Sequence, residues 1–205
     1  MAALAKPELA KRIVECLEGS RAQILEARFH YPTAPLLPWL CRAKLADLGE
    51  RRFAMYFWTI GHGGRTRSPG EYRIQTKLEG GPRQLAFDQG TTLLLGYYRS
   101  DLDASGRAAG NDTPRDMEVF VAWDPLHHLR LGSSSSCQVP LRTLMQAREA
   151  GLGEGMRTLP SSASELVIAV SARNLDLYLE HASLGHGNVD LESLGRAVGM
   201  RRVAG

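Results

Sequence analysis

Residues 53–60 read FAMYFWTI, an aromatic and β-branched run that predicts a buried strand. Residues 71–78 read EYRIQTKL and alternate polar with apolar side chains, as a half-buried strand does. Similar patterns predict further strands at 91–98, 118–123, 136–139 and 166–170. Because these strands follow one another through hairpins rather than through regular helical crossovers, they predict an α+β fold: a mostly antiparallel bent sheet or pseudobarrel with flanking helices.

Helical segments are predicted at both ends of the chain and within it, at 7–26, 38–47, 140–150, 174–181 and 189–198. The chain is accordingly divided into an N-terminal helical segment (1–50), a β-rich domain (51–184) and a C-terminal helix or tail (185–205). The predicted core residues are Trp58, Tyr72, Ile74, Leu94, Phe120, Val121, Trp123, Val167 and Ile168.

Composition excludes several classes of protein. With 43% hydrophobic and 23% charged residues, the 205-residue chain is a folded domain rather than a disordered one. It has neither an 18-residue apolar run nor a secretory leader, so we expect a cytoplasmic protein without a membrane partner. The three cysteines, Cys16, Cys41 and Cys137, are widely spaced, which predicts reduced, buried thiols rather than disulfides or a zinc site.

Positive charge is concentrated in one part of the chain. Residues 28–77 contain nine lysines and arginines against three acids, whereas the remainder contains 16 basic and 19 acidic residues. Such a local excess is typical of a surface that binds a polyanion, provided that the residues converge in space. The alternative is that they scatter over a solvated surface.

The motifs that usually carry cofactor or catalytic chemistry are absent. The loop at 61–64 reads GHGG without the lysine of a nucleotide-binding loop, and the serine run at 133–136 lacks G-x-S-x-G. His127 and His128 are adjacent and have only Asp124 nearby, which is a poor metal-ligand set. We therefore expect no cofactor, no bound metal and no catalytic residue in this chain.

A degenerate nuclease is the principal alternative. A magnesium-dependent PD-(D/E)xK site needs clustered carboxylates and a lysine that helps to activate water. The candidate carboxylates are Glu71, Asp88, Asp116, Glu118 and Asp124. No predicted strand has [DE]-x-K, and Arg73 stands two residues after Glu71, where arginine cannot replace a lysine because it stays charged.

Most of the chain resembles a known module. The resemblance rests on FWTIGHGGRTRSPGEYRIQ (57–75), TTLLLGYY (91–98), VFVAWDPLHH (119–128), SSSSCQV (133–139) and ELVIAV (165–170). This order is similar to a DNA-recognition module of bacterial restriction endonucleases and HNH-linked antiviral defence proteins. The resemblance implies a restriction-modification role: this chain would bind double-stranded DNA, and a partner nuclease subunit or domain would cut it.

The polar residues of these segments give a candidate DNA surface. Arginine and glutamine can make bidentate contacts to guanine and adenine, and lysine and arginine can neutralise phosphates. We predict that the surface comprises His62, Arg65, Arg67, Arg73, Gln75, Lys77, Ser134, Ser135 and Gln138. Two arginines share the loop that leads into the 71–78 strand, so Arg65 and Arg67 are expected on one surface with Arg73 and Lys77. A protein–protein adaptor that uses the helix at 189–198 remains the third alternative.

Overall fold

The structure of the protein is a computed structural model that describes residues 4–30, 37–62, 71–77, 89–99, 118–129 and 134–204. The helices are α1 (Lys6–Glu18), α2 (Pro125–His128), α3 (Leu141–Ala150), α4 (Leu175–His181) and α5 (Leu191–Ala204). The strands are β1 (Gln23–Phe29), β2 (Trp39–Leu45), β3 (Gly49–Thr59), β4 (Gly61–His62), β5 (Glu71–Lys77), β6 (Thr91–Arg99), β7 (Glu118–Trp123), β8 (Ser134–Pro140), β9 (Leu152–Thr158) and β10 (Ser164–Ser171).

Seven strands form one open sheet in the order β1-β2-β3-β6-β7-β10-β9. Every neighbouring pair is antiparallel except β3 and β6, which run parallel. The predicted α+β class with a mostly antiparallel sheet is confirmed, and the sheet is open rather than closed into a barrel.

A smaller sheet is made from two excursions out of the larger one. The chain leaves after β3 to form β4 and β5, and leaves again after β7 to form β8; these pair in the order β4-β5-β8. Since β3 and β7 flank β6 in the large sheet, both excursions begin close together. The small sheet therefore assembles from segments that are distant in sequence.

The predicted core is largely correct. Seven of the nine predicted residues are at most 2% exposed, and only Trp58 and Tyr72 keep partial exposure. The ammonium group of Lys6 lies 4.1 Å from the Trp58 ring centroid, and the Tyr72 ring meets the Tyr98 ring edge-on at 5.3 Å. These contacts cover the two aromatic side chains at the edge of the core.

The predicted helix at 38–47 is wrong, because this segment forms β2. Every second residue of it, Trp39, Cys41, Ala43 and Leu45, is at most 3% exposed, while Leu40, Arg42 and Lys44 are more exposed, which is the period of a strand. Pairing with β1 on one side and β3 on the other outweighs the helix propensity of its leucine, alanine, lysine and arginine residues. The predicted helix at 7–26 likewise ends at Glu18, and Gln23 already begins β1.

Strand β9 was not predicted, since two glycines interrupt its sequence, LGEGMRT. Both glycines lie under α3: a Cβ atom on Gly153 would stand 2.2 Å from the Thr143 carbonyl oxygen, and one on Gly155 would stand 2.9 Å from Thr143 Oγ1. Glycine in this strand thus marks a close approach of helix backbone to strand backbone.

The C-terminal helix docks on the body of the protein. Leu194 and Val198 of α5 are buried, and Arg201 donates to both carboxylate oxygens of Asp176 at 2.6 and 2.7 Å. The apolar stripe on which the adaptor alternative rested is therefore used in the protein's own core. Within the described parts of the chain, no helix combines the length and apolar character needed to cross a membrane.

Candidate nucleic-acid interface

The outer face of the small sheet carries most of the predicted DNA-contacting residues for which side chains are described. In the β5–β8 register, Arg73 is opposite Gln138 and Gln75 is opposite Ser136. Directly opposed residues of antiparallel strands share a face, so these four lie together. The other face is buried through Ile74, Cys137 and Val139, each at most 1% exposed. The period-2 prediction for the 71–78 strand is confirmed over residues 72–76, where the side chains are described.

Two guanidinium groups converge on Ser136 from different sheets. Arg73 Nη1 donates to Ser136 Oγ at 3.4 Å, and Arg157 Nη1 donates to the Ser136 carbonyl oxygen at 3.5 Å. Arg157 belongs to β9 of the large sheet, so it joins the face from a neighbouring element. Sequence reasoning missed this arginine because it missed the strand that positions it.

A cleft of about 880 Å³ opens beside these arginines. Strand β8 forms one wall, and the turn between β9 and β10 forms another. Its lining includes His127, His128, Ser135, Ser136, Gln138 and Arg157, together with the apolar residues Leu159 and Pro160. The site is thus a concave surface of mixed polar and apolar character that includes one guanidinium group, and its size is usual for small-molecule sites.

A chain of buried hydrogen bonds fixes the cleft wall. His128 Nδ1 and Ser135 Oγ share a hydrogen bond of 2.9 Å, and His128 Nε2 and Glu165 Oε1 share one of 2.7 Å. The Ser135 amide also donates to Thr76 Oγ1 at 2.9 Å. Ser135 therefore lies on the inner face of β8, where it holds His128, while it also lines the cleft.

The partner of His128 could not be inferred from neighbouring sequence. Asp124, the nearby acid, instead accepts a hydrogen bond from the Leu126 amide at 2.8 Å and caps α2. The carboxylate bound to His128 is Glu165, in β10, and Arg157 lies 3.7 Å from its other oxygen. Among the residues that the structure describes, no group of three histidines, cysteines or acids is placed to hold a metal ion.

Several predicted site residues fall outside what the structure describes. Arg65 and Arg67 lie in the undescribed range 63–70. For His62, Lys77 and Ser134 the backbone is described and the side chain is not; the register places Lys77 opposite Ser134. The prediction that Arg65, Arg67, Arg73 and Lys77 share one surface stays a prediction.

The rest of the basic segment lies on β1, β2 and β3. Arg28 donates to Glu26 at 3.0 Å, and Arg42 donates to Glu50 at 2.9 Å. These exposed arginines are thus partly neutralised within the large sheet, whereas Arg73 lies on the small one. The basic residues of 28–77 that lie in described strands are therefore divided between two sheets.

The carboxylates of the nuclease alternative are not gathered in the described residues. Glu118 is 1% exposed and accepts hydrogen bonds from Arg12 and Tyr97, and Asp124 caps α2. Asp88 and Asp116, together with the side chain of Glu71, lie outside the described part of the chain.

The predicted state of the cysteines is confirmed. Cys16, Cys41 and Cys137 are all free and buried. Burial raises the pKa of Cys41 to about 12 and raises the pKa of Cys137 further, so both stay as neutral thiols at physiological pH. Cys137 contributes to the packed side of the small sheet beneath the candidate interface.

Comparison with known proteins identifies a protein family. The family model described as methylase-associated X1 (MTaX1) matches residues 51–179, which is more than half of the chain. The matched range runs from within β3 to within α4, and it includes the small sheet and the whole cleft. No curated protein and no solved structure matches the chain. The chain therefore belongs to the methylase-associated X1 family, whose description ties it to methylases.

Proposed function

We propose that this protein is a DNA-binding recognition module of a bacterial restriction-modification or antiviral defence system, and that it reads a base sequence or a modified base. The observation that carries the proposal is the convergence of Arg73 and Arg157 on Ser136, between Gln75 and Gln138 on one face. The methylase association of the family supports the same role.

The chemistry of this face suits a nucleic acid. A guanidinium group binds phosphate oxygens as a rigid fork of donors and keeps its charge at any physiological pH. The carboxamides of Gln75 and Gln138 can each form two hydrogen bonds with adenine. Such contacts distinguish one base from another, whereas contacts to phosphate do not. Arg73 and Arg157 therefore anchor the backbone, and the two glutamines read bases.

Recognition and covalent chemistry are assigned to different polypeptides or domains in this proposal. The family's association with methylases supports a methylase or nuclease partner that modifies or cuts the bound DNA. The proposed ligand is the bacterial chromosome or invading DNA, so a cytoplasmic location is part of the proposal.

Neutralising the two convergent arginines tests the proposed interface. The variant Arg73→Gln/Arg157→Gln is expected to bind a fluorescent duplex roughly tenfold to a hundredfold more weakly than the native protein. The slope of log K against log salt should become shallower by about two, since each lost phosphate contact removes about 0.9. Fluorescence anisotropy titrations at several salt concentrations measure both quantities.

A matched control separates local contacts from net charge. Arg196→Gln/Arg202→Gln removes the same two charges from α5, which lies apart from the cleft lining. This control should bind duplex almost as the native protein does. Equal losses of affinity in the two double variants would contradict the assignment of the interface, provided that both variants keep the native melting temperature.

A further inference from the structure

The concave shape of the candidate site limits the ways in which it can contact a base. Bases stacked in a duplex present their edges at the bottom of a groove, and a protein reaches them with a protruding helix or ribbon. Arg157 and Gln138 instead line a concave cleft of about 880 Å³, and Arg73 donates to Ser136 in its wall. A stacked base cannot enter a concave site, so a base read there must leave the stack.

We propose, resting on the proposed function, that this cleft takes a single nucleotide unstacked from bound DNA. The volume falls within the range of about 300–1,000 Å³ that is typical of sites for small molecules. The nucleotide's phosphate would face Arg157 and Arg73, and its base would enter between β8 and the 159–161 turn.

The cleft walls offer what an unstacked base needs. Gln138 and Ser136 present an amide and a hydroxyl suited to the hydrogen-bonding edge of a base, and the lining also includes Leu159 and Pro160, which suit its flat face. The imidazole of His127 is 37% exposed and also lines the cleft, where it can stack on a base. The walls thus combine polar readout with apolar stacking.

The wall that would read the base is held rigidly. The Gln138 carbonyl oxygen accepts a hydrogen bond of 2.9 Å from Trp123 Nε1, and Trp123 is fully buried. Ser135 and Glu165 hold His128 from both sides. Such anchoring preorganises a pocket and lowers the entropy lost when a ligand binds.

Duplexes with one weakened base pair test this proposal on the intact protein. A mismatched base costs less to unstack than a paired one, so a duplex with a central mismatch should bind at least about tenfold more tightly than its matched parent. 2-Aminopurine at the same position should brighten on binding, because its fluorescence is quenched by stacking. Duplexes with each of the four bases at the central position are compared, because this comparison identifies the base that the cleft prefers.

Variants assign the effect to the cleft. Gln138→Ala and His127→Ala should each reduce the mismatch preference, measured as the ratio of mismatched to matched affinity, and the 2-aminopurine signal. Gln146→Ala, an exposed glutamine of α3 away from the cleft lining, should behave as the native protein does.

The outcomes distinguish this inference from the proposed function. Binding of duplex without a mismatch preference or a 2-aminopurine change would overturn the unstacked nucleotide and leave DNA recognition standing. A mismatch preference that survives both cleft variants would overturn the cleft as its site. Failure to bind any duplex would overturn both proposals.

Discussion

Replacing Glu118 with alanine is expected to lower the free energy of unfolding by about 3–5 kcal/mol, as removal of one partner from a buried ion pair does. The Glu118 side chain is 1% exposed at the start of β7. Arg12 of α1 donates to its two oxygens at distances from 2.6 to 3.1 Å, and the Tyr97 hydroxyl donates to it at 2.8 Å. Alanine leaves a partly buried guanidinium group and a buried hydroxyl without this acceptor.

The pKa values of the partners show how closely this network is coupled. Burial raises the pKa of Tyr97, and the Glu118 carboxylate raises it further. Burial alone would lower the pKa of Arg12, but its hydrogen bonds to Glu118 and Glu15 outweigh that effect and raise it. Both groups therefore keep their protons at physiological pH, and Glu118 is the buried carboxylate through which Arg12 links α1 to β7.

Urea-induced unfolding measures the loss at Glu118. Glu15→Ala is the matched control, since Glu15 bonds the same guanidinium group but is 34% exposed. The control should cost no more than about 1 kcal/mol, as exposed ion pairs do. A loss of unfolding free energy in Glu118→Ala no larger than that in Glu15→Ala would contradict the role of Glu118 in this network.

Replacing Gly153 with alanine is expected to cost about 3 kcal/mol, the upper end of the usual range for overpacking. The new Cβ atom would stand 2.2 Å from the Thr143 carbonyl oxygen and 3.0 Å from the Ala147 amide nitrogen. Both atoms belong to the backbone of α3, which cannot turn aside as a flexible side chain can. Either α3 or β9 must move, and β9 positions Arg157.

Gly61→Ala provides the comparison for Gly153. Gly61 is also a strand glycine, but a Cβ atom there would meet nothing within 4 Å. Thermal and urea unfolding should show Gly61→Ala close to the native protein and Gly153→Ala well below it. Similar stabilities for the two variants would contradict the close packing of α3 on β9.

The sequence predicted the parts of the fold whose pattern is local. Strands β3, β5, β6 and β7 are aromatic, β-branched or alternating, and those patterns were enough to locate them, although β3 begins at Gly49, four residues before the predicted start. The helix prediction for residues 38–47 was wrong because these residues favour a helix when taken by themselves. Pairing of β2 with β1 and β3 makes the segment a strand. Pairing partners are not visible in a local pattern.

The residues of the candidate site also fall into those that a local sequence pattern predicts and those that it does not. Alternation along β5 was enough to place Arg73 and Gln75 on an outer face. Three residues from separate elements meet at the cleft, namely Arg157, His128 and Glu165. Their spacing in the sequence does not predict this contact. The cleft itself is a product of tertiary packing, and it appears only when β8 and the β9–β10 turn are brought together.

The most direct test of DNA recognition is a titration of a fluorescent duplex with the native protein from about 50 to about 200 mM salt. Clear binding is expected at the low-salt end. Log K should fall linearly with log salt, with a slope of about −2 or steeper, because at least two guanidinium groups displace counterions. Absence of binding at low salt, or an affinity that does not change with salt, would contradict DNA recognition by this protein.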